Sequence, residues 1–332
     1  MIPKPYLMFM GRESVLRSAK TALGIRDWAP QDCVAQWRLG AEAIDLGLAE
    51  MRPRAAREAG ARAMVLGIAP VGGALPEEWI APILEAMEAG LDIVSGLHAR
   101  LTDVPAIAEA AQRLGRTLHE VRHPRRPFPI ATGHRRPGKR LLTVGTDCAL
   151  GKKYTSLAIA REMRSRGIDA DFRATGQTGI MIAGDGIAMD AVVSDFIAGA
   201  AETLSPAAHP DHWDVIEGQG AILHPSFAGV TLGLLHGSQP DVLILCHDPS
   251  RSAIASTPGF PFRSLGETRD LYLSLARLTN PQVRFAGIAL NTSSLGEADA
   301  RALAAALEAS EGLPVFDPLR FGIAAAVDAV LA

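Results

Sequence analysis

The stretch VGTDCALGKK at residues 144–153 constrains this chain more than any other. It follows the apolar run KRLLTV (139–144) and precedes YTSLAIAREMRSRG (154–167), a helical pattern that ends on glycine. A strand that feeds a glycine loop and then opens a helix turns several backbone N–H groups toward one point. The helix dipole favours an anion at that same point. The usual pattern for such a phosphate cradle is G-x-x-x-x-G-K-[ST], whose last hydroxyl binds magnesium. Here one extra residue separates Gly145 from the Gly151-Lys152 pair, and Lys153 stands where the hydroxyl belongs. Lysine cannot ligate magnesium; it puts fixed positive charge where the metal would have put it. Thr155 and Ser156 follow, but a helix turns by about 100° per residue, so a hydroxyl two places on faces elsewhere. The loop therefore predicts phosphate binding by Gly145, Thr146, Asp147, Cys148, Ala149, Leu150, Gly151, Lys152, Lys153, Tyr154 and Thr155, with no metal.

Around this loop the chain alternates strands and helices. Before it, ARAMVLGIAP (61–70) reads as a buried strand, VGGALP as a glycine loop, and residues 77–90 as a helix. LDIVSGL (91–97) and VPAIAEAAQRLG (104–115) repeat the alternation, and a strand is expected at Tyr6 to Met10. After it, IDADFRA, WDVIEGQGA, QPDVLILC and VRFAGIALN read as strands, and a helix over 297–309 leads to LPVFD. Such alternation predicts parallel sheets covered by helices. PRRPFPIATGHRRPG (124–138) holds four prolines and four arginines without periodicity and reads as an exposed, semi-rigid linker. Its arginines Arg125, Arg126, Arg135 and Arg136 are either solvated or turned toward a bound polyanion. The expected organisation is a domain over 1–123, the linker, and a second domain over 139–332, both α/β.

With 332 residues, of which 48% are hydrophobic, the chain can bury a core in each domain. A net charge of −3 gives no support to a nucleic-acid or membrane-surface partner. Three scattered cysteines, Cys33, Cys148 and Cys246, fit reduced thiols rather than a disulfide framework. The opening MIPKPYLMFMGRE is broken by prolines and does not read as a signal peptide. No run reaches the roughly 18 apolar residues of a membrane span. The expected setting is cytoplasmic, with a small-molecule substrate and a homo-oligomeric assembly.

The loop GTDCALGK resembles the variant G-T-D-x-x-x-G-K-T of dethiobiotin synthetase and its P-loop relatives. VIEGQGAIL (215–223) resembles their acidic strand-end segment, and FAGIALNTS (285–293) their base-proximal strand, in the same order. The resemblance covers most of residues 139–320 and implies a P-loop NTPase-like sheet flanked by helices. Nucleotide-using members carry Thr or Ser at the position of Lys153, to hold Mg²⁺. The departure argues against ATP hydrolysis and for a pyrophosphate-bearing ligand bound without metal, coenzyme A above all. Taken whole, GTDCALGKKYT, RATGQTG (173–179) and IEGQG (216–220) behind a Rossmann-like domain and a Pro/Arg-rich linker resemble a bacterial P-loop family long of unknown function. One branch of that family acts as D-glutamate N-acetyltransferase. The resemblance implies transfer of acetyl from acetyl-CoA to the amine of D-glutamate, in D-amino-acid catabolism. An ATP/Mg-dependent ligase of the dethiobiotin synthetase type and a non-catalytic nucleotide-sensing module stand as alternatives.

Acetyl transfer to an amine needs a base, and Glu217, at the end of a strand with two glycines after it, is the first choice. His224 and His236 stand behind it, and Lys152 joins it as the catalytic charge on the phosphate. The turn at 218–220 offers backbone N–H donors for the oxyanion. The segment 172–196, rich in glycine and hydroxyls, reads as a loop on the same sheet edge. Arg173, Thr175, Gln177 and Thr178 in it are expected to bind substrate, Arg173 by a bidentate carboxylate pair. The acceptor is expected between the domains, with residues 71–74 closing one side. Asp185, Asp190 and Asp195 are open to metal ligation or, for Asp190, helix capping. Cys148 is either a small residue fitting a tight loop or an acyl carrier, its thiol acidified by the helix N-terminus. HEVRH (119–123) matches the H-E-x-x-H zinc pattern, but it stops at Pro124 in strand-like context. On a strand its two histidines stand about 13 Å apart, too far to share a metal.

Overall fold

Strands come in the order β1 (Tyr6–Gly11), β2 (Cys33–Arg38), β3 (Ala63–Leu66), β4 (Asp92–Ser95), β5 (Leu118–Glu120), β6 (Lys139–Gly145), β7 (Ala170–Arg173), β8 (Trp213–Ile216), β9 (Val242–His247), β10 (Arg284–Leu290) and β11 (Val315–Phe316). Between them run α1 (Lys20–Trp28), α2 (Pro53–Glu58), α3 (Ile80–Glu88), α4 (Pro105–Leu114), α5 (Lys152–Ser165), α6 (Gln177–Ala183), α7 (Ile197–Leu204), α8 (Ala228–Ser238), α9 (Leu265–Ala276), α10 (Glu297–Glu311) and α11 (Ala324–Leu331). The structure is a computed structural model that describes residues 2–70, 73–124, 127–255, 257 and 259–332. The chain divides into two units, Met1–Arg125 with Gly176–Ala191, and Arg126–Thr175 with Val192–Ala332. Among the described residues no helix is long and apolar enough to cross a membrane.

The first unit is built on a parallel sheet in the order β2-β1-β3-β4-β5. β1 reads YLMFMG and is buried along its whole length. An unbroken apolar run of this kind marks a parallel strand covered on both faces. Where the sequence predicts a loop over 172–196, the structure has the helix α6, and it packs in this first unit. Ile180, Met181 and Ile182 are buried, the Tyr6 hydroxyl donates to the Met181 carbonyl at 3.0 Å, and the Thr21 and Thr178 hydroxyls lie 3.2 Å apart. The short apolar run IMIA, bounded by Gly176 and Gly184, outweighs the flexibility that the surrounding glycines suggest.

The second unit carries a parallel sheet in the order β11-β10-β9-β6-β8-β7. β6 lies inside it, between β9 and β8. From β6 the chain moves past β8 to the edge strand β7, and from β8 it returns across β6 to β9. Connections therefore change direction around β6, and in open parallel sheets ligands bind at the strand ends where that happens.

The linker arginines Arg135 and Arg136 differ. Arg135 donates to the Gln239 carbonyl at 2.9 Å and pairs with Asp241. Arg136 donates to the carbonyls of Ser205 and Gly237, both at 2.9 Å. Arg136 is largely covered and held by the second unit's own acceptors, whereas Arg135 pairs with Asp241 at the surface and stays exposed to solvent, as one of the two readings expects. Arg140, fully buried, gathers the carbonyls of Arg136, Pro137 and Gly138 at 3.0–3.2 Å, and burial pulls its pKa down to about 10. Arg125, Arg126 and part of the 71–74 loop lie outside the described residues.

Candidate phosphate-binding site

β6 ends at Gly145 and α5 begins at Lys152, so residues 146–151 form the loop. Gly151 takes φ +107°, a left-handed conformation that glycine adopts freely, and this swings the chain into the first turn of α5. The first amides of that turn have no carbonyl four residues back. With the aligned peptide dipoles they make a seat for an anion.

A guanidinium from elsewhere in the unit holds the loop's shape. Arg251 donates to the Asp147 carboxylate at 3.1 Å, to the Cys148 carbonyl at 3.0 Å and to the Ala149 carbonyl at 3.1 Å. The buried Asp147 carboxylate also accepts from the Cys148 amide at 2.6 Å and the Ala255 amide at 3.0 Å. Arg251 thus neutralises a carboxylate that would oppose a phosphate, and it draws two loop carbonyls to its own side. Sequence reasoning missed it; the only available signal is an arginine in HDPSR, just past a central strand.

Lys152 is buried and its Nζ donates to the Asp147 carbonyl at 2.8 Å. Burial pulls its pKa below the ordinary lysine value, opposed by Cys148, Cys246, Asp147 and Glu217. The Nζ of Lys153, half-buried, stands 5.2 Å over the Tyr154 ring. The two hydroxyls that follow turn into the core. Ser156 donates to the Lys152 carbonyl at 2.9 Å and lies 2.9 Å from the Thr143 hydroxyl, while Thr155 accepts from the Cys246 thiol at 3.6 Å. Lysine therefore stands at the usual magnesium position and neither neighbouring hydroxyl replaces the missing one.

Glu217 follows β8 and is 5% exposed, its Oε2 accepting from the Thr175 amide at 3.0 Å. The Thr175 hydroxyl donates to the Glu217 carbonyl at 2.7 Å and accepts from Gln219 Nε2 at 3.0 Å. A Cβ on Gly218 would fall 1.7 Å from the Thr143 carbonyl oxygen, so only glycine lets this turn lie against the end of β6. That close approach brings Glu217 and Thr175 to Lys152, whose Cδ is 3.0 Å from the same position. The Gly218 amide donates to the Thr143 hydroxyl at 2.9 Å and is not the oxyanion donor expected of it.

The four residues expected to bind substrate are divided between the two units, Arg173 and Thr175 in the second and Gln177 and Thr178 in the first. Arg173 Nε donates to Asp214 at 2.5 Å and its Nη2 lies 3.3 Å from Asp171, so two of its three nitrogens face the chain's own carboxylates. Gln177 and Thr178 lie in α6 with the first unit, Thr178 against Thr21 and Gln177 against Gly96. Thr175 lies beside Glu217. Asp190 pairs with Arg122, and among the described residues it belongs to no cluster spaced to hold a metal ion.

The histidines and cysteines also resolve. His236 Nε2 lies 3.1 Å from the Leu275 carbonyl, a structural bond. His224 is buried, its Nδ1 accepting from the Ser226 amide at 3.1 Å and its Nε2 3.9 Å from Asp147 Oδ1. The ligand atoms of Asp147, Cys148 and His224 fall within 4.8 Å of one another, a spacing that suits a metal ion. However, a neutral ring that accepts at Nδ1 carries its proton on Nε2, where it is a donor rather than a ligand or a base. Burial raises the Cys148 pKa, opposite to the acidification expected from the helix N-terminus. β5 holds His119 and Glu120 but stops short of His123, and His119 Nε2 lies 3.4 Å from Asp92, as suits a coincidental H-E-x-x-H.

Two parallel-sheet α/β units, the second with a phosphate loop after its interior strand, define a P-loop protein with a Rossmann-like partner domain. The chain belongs to the DUF1611 family, in accord with the resemblance read from its motifs. Residues 38–124 match the family's "Domain of unknown function (DUF1611_N) Rossmann-like domain", and residues 129–327 its "Domain of unknown function (DUF1611_C) P-loop domain". A relative from Tritonibacter scottomollicae, named D-glutamate N-acetyltransferase, is 49% identical over 332 residues, 100% of both chains. A second relative of that name, from Pseudoalteromonas sp, is 45% identical over 322 residues, 97% of both chains. The crystal structure of a DUF1611 family protein from Anabaena variabilis superposes with a TM-score of 0.88 at 34% identity, covering 99% of both chains.

Proposed function

We propose that this protein is an N-acetyltransferase that moves the acetyl group of acetyl-CoA to the amine of D-glutamate. What carries the reading is the full-length identity, across both domains, to relatives named for that activity. The loop supports it from the chemical side: a pyrophosphate seated on residues 145–155 would meet Lys152, the lysine of the usual pattern, and Lys153 at the position where a nucleotide enzyme keeps a magnesium ligand. The three free cysteines and a substrate drawn from the acetyl-CoA pool suit a cytoplasmic setting and D-amino-acid catabolism.

In this reading the neutral amine attacks the thioester carbonyl, the C–N bond forms and the C–S bond breaks. Glu217 takes the proton that the amine nitrogen sheds, and the departing thiolate of CoA is protonated in turn. The Thr175 amide keeps the Glu217 carboxylate oriented.

A thermal-shift comparison tests the ligand class, because a ligand bound only to the folded chain raises Tm by mass action. Acetyl-CoA and CoA raise Tm and Mg·ATP does not. Stabilisation by Mg·ATP with none by CoA would favour a synthetase instead.

A further inference from the structure

The carboxyl edge of the first sheet belongs to the other unit from the phosphate loop, and it is at this edge that open parallel sheets hold ligands. Three features meet there. His98, just past β4, lies against Gly73, where a Cβ would come within 2.6 Å of the imidazole. Arg122, just past β5 and 6% exposed, donates from Nε to the Gly96 carbonyl at 3.1 Å and pairs with Asp190. His123, the next residue, has an Nε2 that is buried with no hydrogen-bond partner among the described residues. Buried polar atoms nearly always have a partner, and an orphan marks the place of a water, an ion or a ligand. Partial burial, with Arg122 and His123 beside it, keeps His98 below the ordinary imidazole value against the pull of Asp190. His98 thus lies within electrostatic reach of Arg122, His123 and Asp190, and Arg122 and Asp190 are in contact.

We propose that His98, Arg122, His123 and Asp190 form the binding site for an acidic amino acid, the acceptor of the acetyl group. The identification as acceptor rests on the acetyl-transfer reading. Arg122 and Asp190 set opposite charges side by side, which complements the ammonium and the carboxylate that an α-amino acid carries on one carbon. The two imidazoles, each with one donor and one acceptor nitrogen, supply contacts for the second carboxylate. The same pair also ties residues near 190 to the sheet, so a purely structural role is the alternative that the test must exclude.

The full-length chain and its His98→Ala/His123→Ala double variant are titrated with D-glutamate in the presence of CoA, and separately with CoA alone. Loss of two contacts to a charged ligand weakens glutamate binding by at least about tenfold, with CoA affinity unchanged. His123→Gln, which keeps a donor, recovers part of the affinity. Equal glutamate affinity in the double variant, or a parallel loss of CoA affinity, overturns the assignment, as does a wild-type chain that binds no glutamate. A wild-type chain that binds glutamate through these histidines but transfers no acetyl group would leave the site standing and remove the acetyl-transfer reading alone.

Discussion

Lys152 Nζ donates to the carbonyl oxygen of Asp147 at 2.8 Å, so the lysine that opens α5 folds back onto its own loop. A phosphate oxygen is a stronger acceptor than a carbonyl, and a bound pyrophosphate takes the carbonyl's place. Lys152→Met therefore weakens CoA binding by about tenfold or more, read by calorimetric titration. The same variant melts at higher temperature, because it removes a charge that burial disfavours. A variant that loses Tm and CoA affinity together would make Lys152 a structural residue.

The depressed pKa of Lys152 also fixes a pH dependence. Burial holds the free-state value below the ordinary 10.5, and a bound pyrophosphate raises it, so binding takes up a proton between the two values. CoA affinity is level below the free-state value and falls as pH rises through it. In Lys152→Met that fall is absent. For folding the sign is opposite: the stability contribution is complete above 10.5 and is lost as pH drops through the folded value.

Arg251→Ala frees the Asp147 carboxylate and two loop carbonyls at once. Partial exposure of the guanidinium, 24%, keeps the stability loss on the order of 1 kcal/mol. The larger effect falls on CoA affinity, since an uncompensated carboxylate then faces the phosphate. Arg251→Lys recovers the charge but not the three-way geometry. Equal CoA affinity in wild type and Arg251→Ala would remove Arg251 from the site.

Glu217→Gln keeps an acceptor for the Thr175 amide while removing the base. It lowers kcat by about 10²–10⁴-fold and leaves the KM for acetyl-CoA nearly unchanged. Full activity in this variant would move the base to another residue.

How far such a site can be read from sequence depends on how local its parts are. β6, the loop and α5 are consecutive, so residues 139–165 show strand, cradle and helix in one stretch, and the missing magnesium ligand shows with them. The position of Glu217 just past β8 is legible because a strand end followed by glycines marks it. Arg251 is not, because it reaches the loop across about a hundred residues and belongs to no pattern. α6 is hidden for a related reason: its seven residues are apolar enough to bury against the first unit, but too few to show a helical period. Arg173 reads as a ligand for a carboxylate, and it is one, but the carboxylates are Asp214 and Asp171 within the same sheet.

The central claim is that this cradle holds an acyl carrier and does not break a phosphate bond. Thiol release from acetyl-CoA by the purified chain, without added metal, tests it most directly. The account predicts stoichiometric thiol and N-acetyl product on adding D-glutamate, with little release from L-glutamate and none from acetyl-CoA alone. No thiol release with D-glutamate, together with phosphate release from Mg·ATP, would contradict it.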